Sequence, residues 1–173
     1  MTDIITRKVA FAGVVGALYA ALTIGFGFIG FGPVQFRIAE ALCVLPFFFP
    51  VSVWGLFIGC IIANLVSPYP LDIIVGPAAT LLAAVCTMRI GKFGKDSITV
   101  KIIACLPPVI FNAVFIGALI AYTMAGISET DVFFAAFLIN GAQVGLSQLA
   151  VLYILGLPLI IYLPKTRIFE RLV

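Results

Sequence analysis

The amino-acid sequence predicts an all-α protein: a polytopic membrane protein folded as a compact six-transmembrane-helix bundle, one integral membrane domain over residues 1–173. Composition is the first ground for this. Hydrophobic residues make up 64% of the chain and charged residues 10%, with a mean hydropathy of +1.28. A soluble domain carries about 25% charged and 45–50% apolar residues, so the chain lacks the side chains for a water-facing shell. The second ground is that the few charges divide the chain into uncharged runs: Val9–Phe36, Ala41–Leu71, Ile73–Met88, Ile102–Ser128 and Val132–Pro164. A helix needs about 20 residues, or about 17 at the short end, to cross the hydrocarbon core.

The first helix is expected over 8–26. It follows Arg7-Lys8 as the core of a signal peptide follows its basic flank. Its apolar stretch outruns the roughly 7–15 residues of such a core, and the rest of the chain is equally apolar, so a retained helix is expected. Gly25, Gly27, Gly30, Gly32 and Pro33 then make a poor helix and a good loop. Residues 37–66 would form about 45 Å of helix, too long for one upright span and short for two. Pro46 and Pro50 flank Phe47-Phe48-Phe49, and proline removes a backbone donor. Two short helices are therefore expected, 37–49 and 51–66. Such helices persist at membrane depth only where protein or a cavity shields their ends, which points to a packed bundle with an internal site. Further helices are expected at 72–89, 101–123 and within 132–163, the last run exceeding one span.

Six spans put both termini on one side. Arg7, Lys8, Arg89, Lys92, Lys95, Lys101, Lys165, Arg167 and Arg171 share that side and Arg37 lies opposite, so the positive-inside rule makes it cytoplasmic. A five-span arrangement with the N-terminus outside divides the same charges eight to two; charge separates the two poorly, and the double-proline turn favours six.

Several chemistries are excluded. Without His, histidine-based zinc sites and Ser-His or Cys-His catalysis are closed. Gly91-Lys92-Phe93-Gly94-Lys95 has the wrong spacing for a phosphate loop. Cys43, Cys60, Cys86 and Cys105 are scattered through apolar runs without C-x-x-C spacing or basic neighbours, and read as buried free thiols. No cofactor is implied, and no nucleophile–base pair can be named, so no enzymatic activity is expected.

Polar residues at membrane depth are costly and usually face a cavity, a partner or a pathway. The outer half of the six-span arrangement holds Gln35, Arg37, Glu40, Asn64, Asp72, Glu129, Asp131 and Asn140. Arg37 and Glu40 stand three apart on one helix face. They read either as a local ion pair at the headgroups or as a site in which Glu40 accepts the paired N–H groups of a guanine-like edge. Asp72 follows Pro68-Tyr69-Pro70 and reads as a helix N-cap or as a counter-ion for a cationic substrate. Glu129 and Asp131 read as loop residues in water. Asn140, Gln143 and Ser147 follow an i, i+3, i+7 pattern beside Gln148, and Asn112 lies near the middle of the fifth helix. These polar side chains read as pocket lining or as glue between helices, worth about 1 kcal/mol or less each. The first helix carries two ridges of small residues, Ala12/Gly16/Ala20 and Gly13/Ala17/Ala21, which admit close approach of another helix, internal or from a partner.

Together these residues resemble a known family. Phe31-Gly-Pro-Val-Gln-Phe-Arg-Ile-Ala-Glu-Ala-Leu, Leu45-Pro46, Gly59-Cys-Ile-Ile-Ala-Asn-Leu, Leu71-Asp-Ile-Ile-Val-Gly76, Phe111-Asn112-Ala113 and Leu155-Gly-Leu-Pro158 resemble the queuosine-precursor transporter (QueT-like) family, S components of energy-coupling-factor transporters. The resemblance covers nearly the whole chain. It implies a six-helix bacterial cell-membrane protein that captures a 7-deazaguanine base outside the cell, in its aminomethyl or nitrile form. A transmembrane coupling subunit and, through it, two cytoplasmic ATPases would drive uptake. It further implies that Gly13 and Ala17, with Ala12 and Gly16 beside them, meet the coupling subunit, and that Gly27–Gln35 gates the ligand. The candidate ligand contacts, read from the polar residues themselves, are Gln35, Arg37, Glu40, Asn64, Asp72, Asn112, Asn140, Gln143 and Ser147. Members of the family often have Gly-Glu where this chain has Ser147-Gln148, which leaves Asp72, or no residue, to balance an aminomethyl cation. The competing readings are an S component for another purine-like or vitamin substrate, uptake without an energising module, and a structural membrane subunit whose polar residues only join helices.

Overall fold

A computed structural model describes residues 2–30, 35–125 and 130–166, and all of its regular structure is helical. In chain order the α-helices are α1 (Thr2–Gly25), the single turn α2 (Gly27–Gly30), α3 (Ser52–Asn64), α4 (Asp72–Ile90), α5 (Ile98–Ala104), α6 (Leu106–Ala125), α7 (Thr130–Val151) and α8 (Leu157–Tyr162). A 3₁₀ helix, Ile38–Phe47, lies between α2 and α3. Among the described residues four helical stretches are long and apolar enough to cross a membrane: Ile4–Gly25, Asp72–Phe93, Ile98–Met124 and Val132–Lys165. Ile38–Phe47 and Ser52–Asn64 are the two short apolar helices expected on either side of the double-proline turn.

Three elements differ from the sequence reading. The segment expected as a helix over 37–49 is wound as 3₁₀ from Ile38 to Phe47 with Pro46 inside it. At about 2.0 Å of rise per residue, ten residues of this helix cover about 20 Å, against about 15 Å for an α-helix. The helix expected over 101–123 starts at Ile98 and breaks at Cys105. The final span passes through a π-turn, Leu152–Gly156, before Leu157-Pro158 opens α8. Both breaks sit where proline denies the preceding turn a donor. The bundle repairs the first: the Thr87 hydroxyl donates to the Ala104 carbonyl at 3.1 Å and the Tyr153 hydroxyl to the Ile102 carbonyl at 3.0 Å. Pro108 lacks the N–H that would otherwise serve the Ala104 carbonyl.

The 3₁₀ helix is the centre of the molecule. Every residue from Ala39 to Phe47 is buried, as expected for a helix surrounded on all sides. It packs against α1, α3, α4, α7, α8 and the π-turn. At its C-terminal end Phe47, Phe48 and Phe49 gather with Ala104, Cys105, Val109, Val151, Leu152 and Ile160 into one apolar cluster, and Phe11 of α1 meets Phe49 at 4.9 Å between ring centroids. These three Phe side chains pack the C-terminal end of the 3₁₀ helix. The polar residues lie toward the other end of the 3₁₀ helix.

Glycine sets the tightest contact. A Cβ added to Gly16 would stand 2.7 Å from the Gly55 carbonyl oxygen, and one added to Gly59 would stand 2.5 Å from the Gly16 carbonyl oxygen. Gly55 approaches the Ala12 carbonyl in the same way. Backbone therefore lies on backbone between α1 and α3. The ridge Ala12/Gly16/Ala20 is an internal seam, which corrects the assignment of Ala12 and Gly16 to a partner surface. The second ridge differs: Gly13, Ala17 and Ala21 are exposed, and a Cβ on Gly13 would meet nothing within 4 Å.

Candidate functional site

A 3₁₀ helix has three residues per turn, so residues three apart eclipse one another. Arg37, at the N-cap, and Glu40 and Cys43 therefore stand in one column. Glu40 is completely buried. Its carboxylate accepts a hydrogen bond from the Tyr19 hydroxyl at 2.5 Å, one from the Cys43 thiol at 3.2 Å and one from the Asn112 amide at 3.2 Å. A carboxylate removed from water in an apolar bundle is tolerable only with such donors around it. Here α1, the 3₁₀ helix and α6 each supply one.

The other charged residues lie in the same network. Arg37 Nη2 and Asp72 Oδ2 form a buried salt bridge at 2.6 Å. Asp72 also accepts from the Ser67 hydroxyl at 3.1 Å. The Asn64 amide donates to the Asp72 backbone carbonyl at 2.9 Å, which fixes the turn between α3 and α4. Cys60 joins the two halves: its sulfur accepts from Asn64 at 3.6 Å and Thr80 at 3.4 Å and lies 3.6 Å from the Tyr19 hydroxyl oxygen, whose proton goes to Glu40. One polar chain thus runs from Arg37 and Asp72 through Asn64, Cys60 and Tyr19 to Glu40 and Asn112, tying together four helices and the 3₁₀ segment.

These contacts correct two expectations. The salt bridge of Arg37 goes to Asp72 across the bundle, where the i, i+3 spacing pointed to Glu40. Asp72 is the first residue of α4 and caps nothing with its side chain. Its carboxylate is paired with Arg37, so it is not an unengaged counter-ion either. Gly76 permits this packing, because a Cβ there would stand 2.8 Å from Asp72 Oδ1 and still closer to the Asn64 amide nitrogen.

Of the expected helix-six face, the structure brings only part toward the network. The Ser147 hydroxyl donates to the Val144 carbonyl within its own helix at 2.8 Å and lies 3.4 Å from the Gln35 carbonyl oxygen. Gln35 is buried and holds the left-handed backbone conformation, φ 49°, that non-glycine residues rarely adopt. Asn140 donates to the Ala136 carbonyl at 2.7 Å and to Met124 sulfur at 3.8 Å, so it joins α6 and α7 away from Glu40. Gln143 is exposed. At about 100° per residue it falls roughly 90° from the middle of the buried face formed by Asn140, Val144, Ser147, Gln148 and Val151. Asn140 and Gln143 therefore lie outside the network. Glu129, the side chain of Asp131, the Phe31–Val34 part of the expected gate, Arg167 and Arg171 lie outside the described residues.

Tyr19, Cys43 and Cys60 were not expected in the site. Tyr19 had a readable signal: it lies three residues after Gly16, on the side of α1 that carries the inward small-residue ridge, and a buried tyrosine hydroxyl needs a partner. Cys43 had the i+3 spacing from Glu40. A shallow concavity of about 510 Å³, lined by residues including Leu71, Val75, Phe115 and Phe133, lies on the side of the bundle and is apolar throughout. It contains none of the network, and its chemistry suits lipid tails rather than a hydrogen-bonding ligand.

Comparison with known proteins gives two matches. The family described as "QueT transporter" matches residues 9–165. A stretch of 79 residues is 38% identical to the Queuosine precursor transporter QueT of Lactococcus lactis subsp. cremoris (strain MG1363), covering 44% of this chain and 47% of that protein. The match thus spans about half the length of that relative. No solved structure matches the chain.

Proposed function

The chain belongs to the QueT transporter family, and from that premise we propose that it is the substrate-binding S component of an energy-coupling-factor transporter, capturing a queuosine precursor for uptake. The ligand is a 7-deazaguanine base in its aminomethyl or nitrile form. The observation that carries this reading is the Glu40 carboxylate, completely buried and ringed by Tyr19, Cys43 and Asn112. Two carboxylate oxygens match the parallel N–H groups on the edge of a guanine-like ring, and burial makes such paired bonds discriminating. Its neighbours Tyr19 and Asn112 can exchange their bonds to the carboxylate for bonds to the ring. The Arg37–Asp72 pair positions the column, holding the N-terminal end of the 3₁₀ helix against α4.

In this reading the six apolar helical segments all cross the membrane, both termini face the cytoplasm, and the protein acts as a binding and transport subunit in the bacterial cell membrane rather than as an enzyme. A transmembrane coupling subunit docks on the exposed Gly13/Ala17 ridge, and two ATPases behind it supply the energy. The test is titration of the detergent-purified chain with the aminomethyl and nitrile deazaguanines, with guanine and an unrelated vitamin as controls. Tight binding confined to the deazaguanines is expected. A folded chain that binds none of them, or binds the vitamin equally well, contradicts the proposal.

A further inference from the structure

Gln148 is a buried polar side chain outside the network whose amide oxygen, unlike the side chains of buried Thr23, Ser52, Thr87 and Asn140, has no partner. It is 1% exposed, it lies in the last turn of α7, midway along the Val132–Lys165 stretch, and its Oε1 has no hydrogen-bond partner. A buried amide oxygen left without a donor is costly, and an unpaired polar group of this kind calls for an explanation. Its position follows from the register of α6 against α7. A Cβ on Gly117 would lie 2.6 Å from Gly141 Cα, one on Gly145 would lie 3.3 Å from Ala113 Cβ, and Ile116 and Val144 belong to one apolar cluster. The helices run antiparallel. One turn from Ile116 toward the start of α6 is Asn112, and one turn from Val144 toward the end of α7 is Gln148. The two amides therefore stand at one level, and Asn112 is the residue that donates to Glu40.

We propose that Gln148 is a specificity-determining residue of the ligand site, its side-chain carbonyl accepting an N–H from the five-membered ring of the bound base. This rests on the deazaguanine reading above. There the paired N–H groups of the six-membered ring go to Glu40, and the ring donor left over on a free base is the pyrrole N–H. A second acceptor at the level of Asn112 takes it. The site then selects free bases over nucleosides, in which the sugar has replaced that hydrogen.

The test measures the affinities of the wild-type chain, Gln148→Met and Gln148→Glu for the aminomethyl deazaguanine and for its derivative methylated at the pyrrole nitrogen. Methionine keeps the length of the side chain and removes the acceptor; glutamate keeps both. The expected result is roughly tenfold weaker binding of the free base by Gln148→Met, on the scale of a buried hydrogen bond, with Gln148→Glu retaining it. Methylation should weaken binding by the wild type and cost Gln148→Met little more, because the bond it removes is already gone. Equal affinities of wild type and Gln148→Met, or a loss in Gln148→Glu as large as in Gln148→Met, would overturn the assignment. Should Gln148→Met not fold, Gln148→Glu and the methylated ligand still decide, since a wild-type chain indifferent to methylation contradicts the proposal alone. Failure of the wild type to bind either base overturns the deazaguanine reading itself, an outcome distinct from failure of the Gln148 contact.

Discussion

At the scale of single residues the molecule gathers its buried charged side chains, among the described residues, in one place. Arg37, Glu40 and Asp72 are all buried within one hydrogen-bonded network. Breaking a buried ion pair from one side leaves an uncompensated charge, at a cost of about 3–5 kcal/mol, whereas replacing both partners with apolar groups is often close to neutral. Arg37→Met and Asp72→Leu should therefore each lower the thermal stability of the purified chain strongly, and the double substitution should recover much of the loss. Equal, additive losses would show that the two side chains act independently. The need for buried partners was legible in the sequence, because three ionisable residues in so apolar a chain must be satisfied internally. The pairing was not. Spacing offered Glu40 to Arg37, and only the approach of α4 to the start of the 3₁₀ helix brings Asp72 in instead.

The helices themselves were legible from the charge-free runs and the prolines, and the turn at Pro46–Pro50 divides two short helices as the sequence predicts. Hydropathy could not supply the winding of Ile38–Phe47 as 3₁₀ or the break at Cys105, because both depend on what surrounds the backbone. The break is stable because Thr87 and Tyr153 occupy carbonyls at its edge. Thr87→Val keeps the shape of the side chain and removes the hydroxyl, so the Ala104 carbonyl loses its donor. A destabilisation of about 1–3 kcal/mol is expected, read as an earlier thermal unfolding transition. An unchanged transition would mean that the carbonyl finds another donor. The α1–α3 seam gives a second check. Gly55→Ala places a methyl group against the Ala12 carbonyl, and overpacking of this kind costs about 1–3 kcal/mol.

At the scale of the whole molecule, the two small-residue ridges of α1 looked equivalent in sequence and are separated by the fold. Ala12 and Gly16 are sealed against α3, while Gly13 and Ala17 face outward. Leucine at both Gly13 and Ala17 should therefore leave folding and ligand affinity intact and abolish assembly with a coupling subunit, measured by co-purification. Loss of ligand binding together with assembly would place that ridge in the internal packing as well. Glu40 is enclosed by helices from both halves of the chain, so a ligand held there, as proposed, would engage the bundle as a whole. The most direct measurement is the affinity of the wild-type chain and of Glu40→Gln for the aminomethyl deazaguanine, with folding of each confirmed by its thermal transition. The account predicts tight binding by the wild type and a loss of about 1.5–3 kcal/mol in the variant, the value of a hydrogen bond to a charged group. Equal affinities in two folded proteins would contradict it.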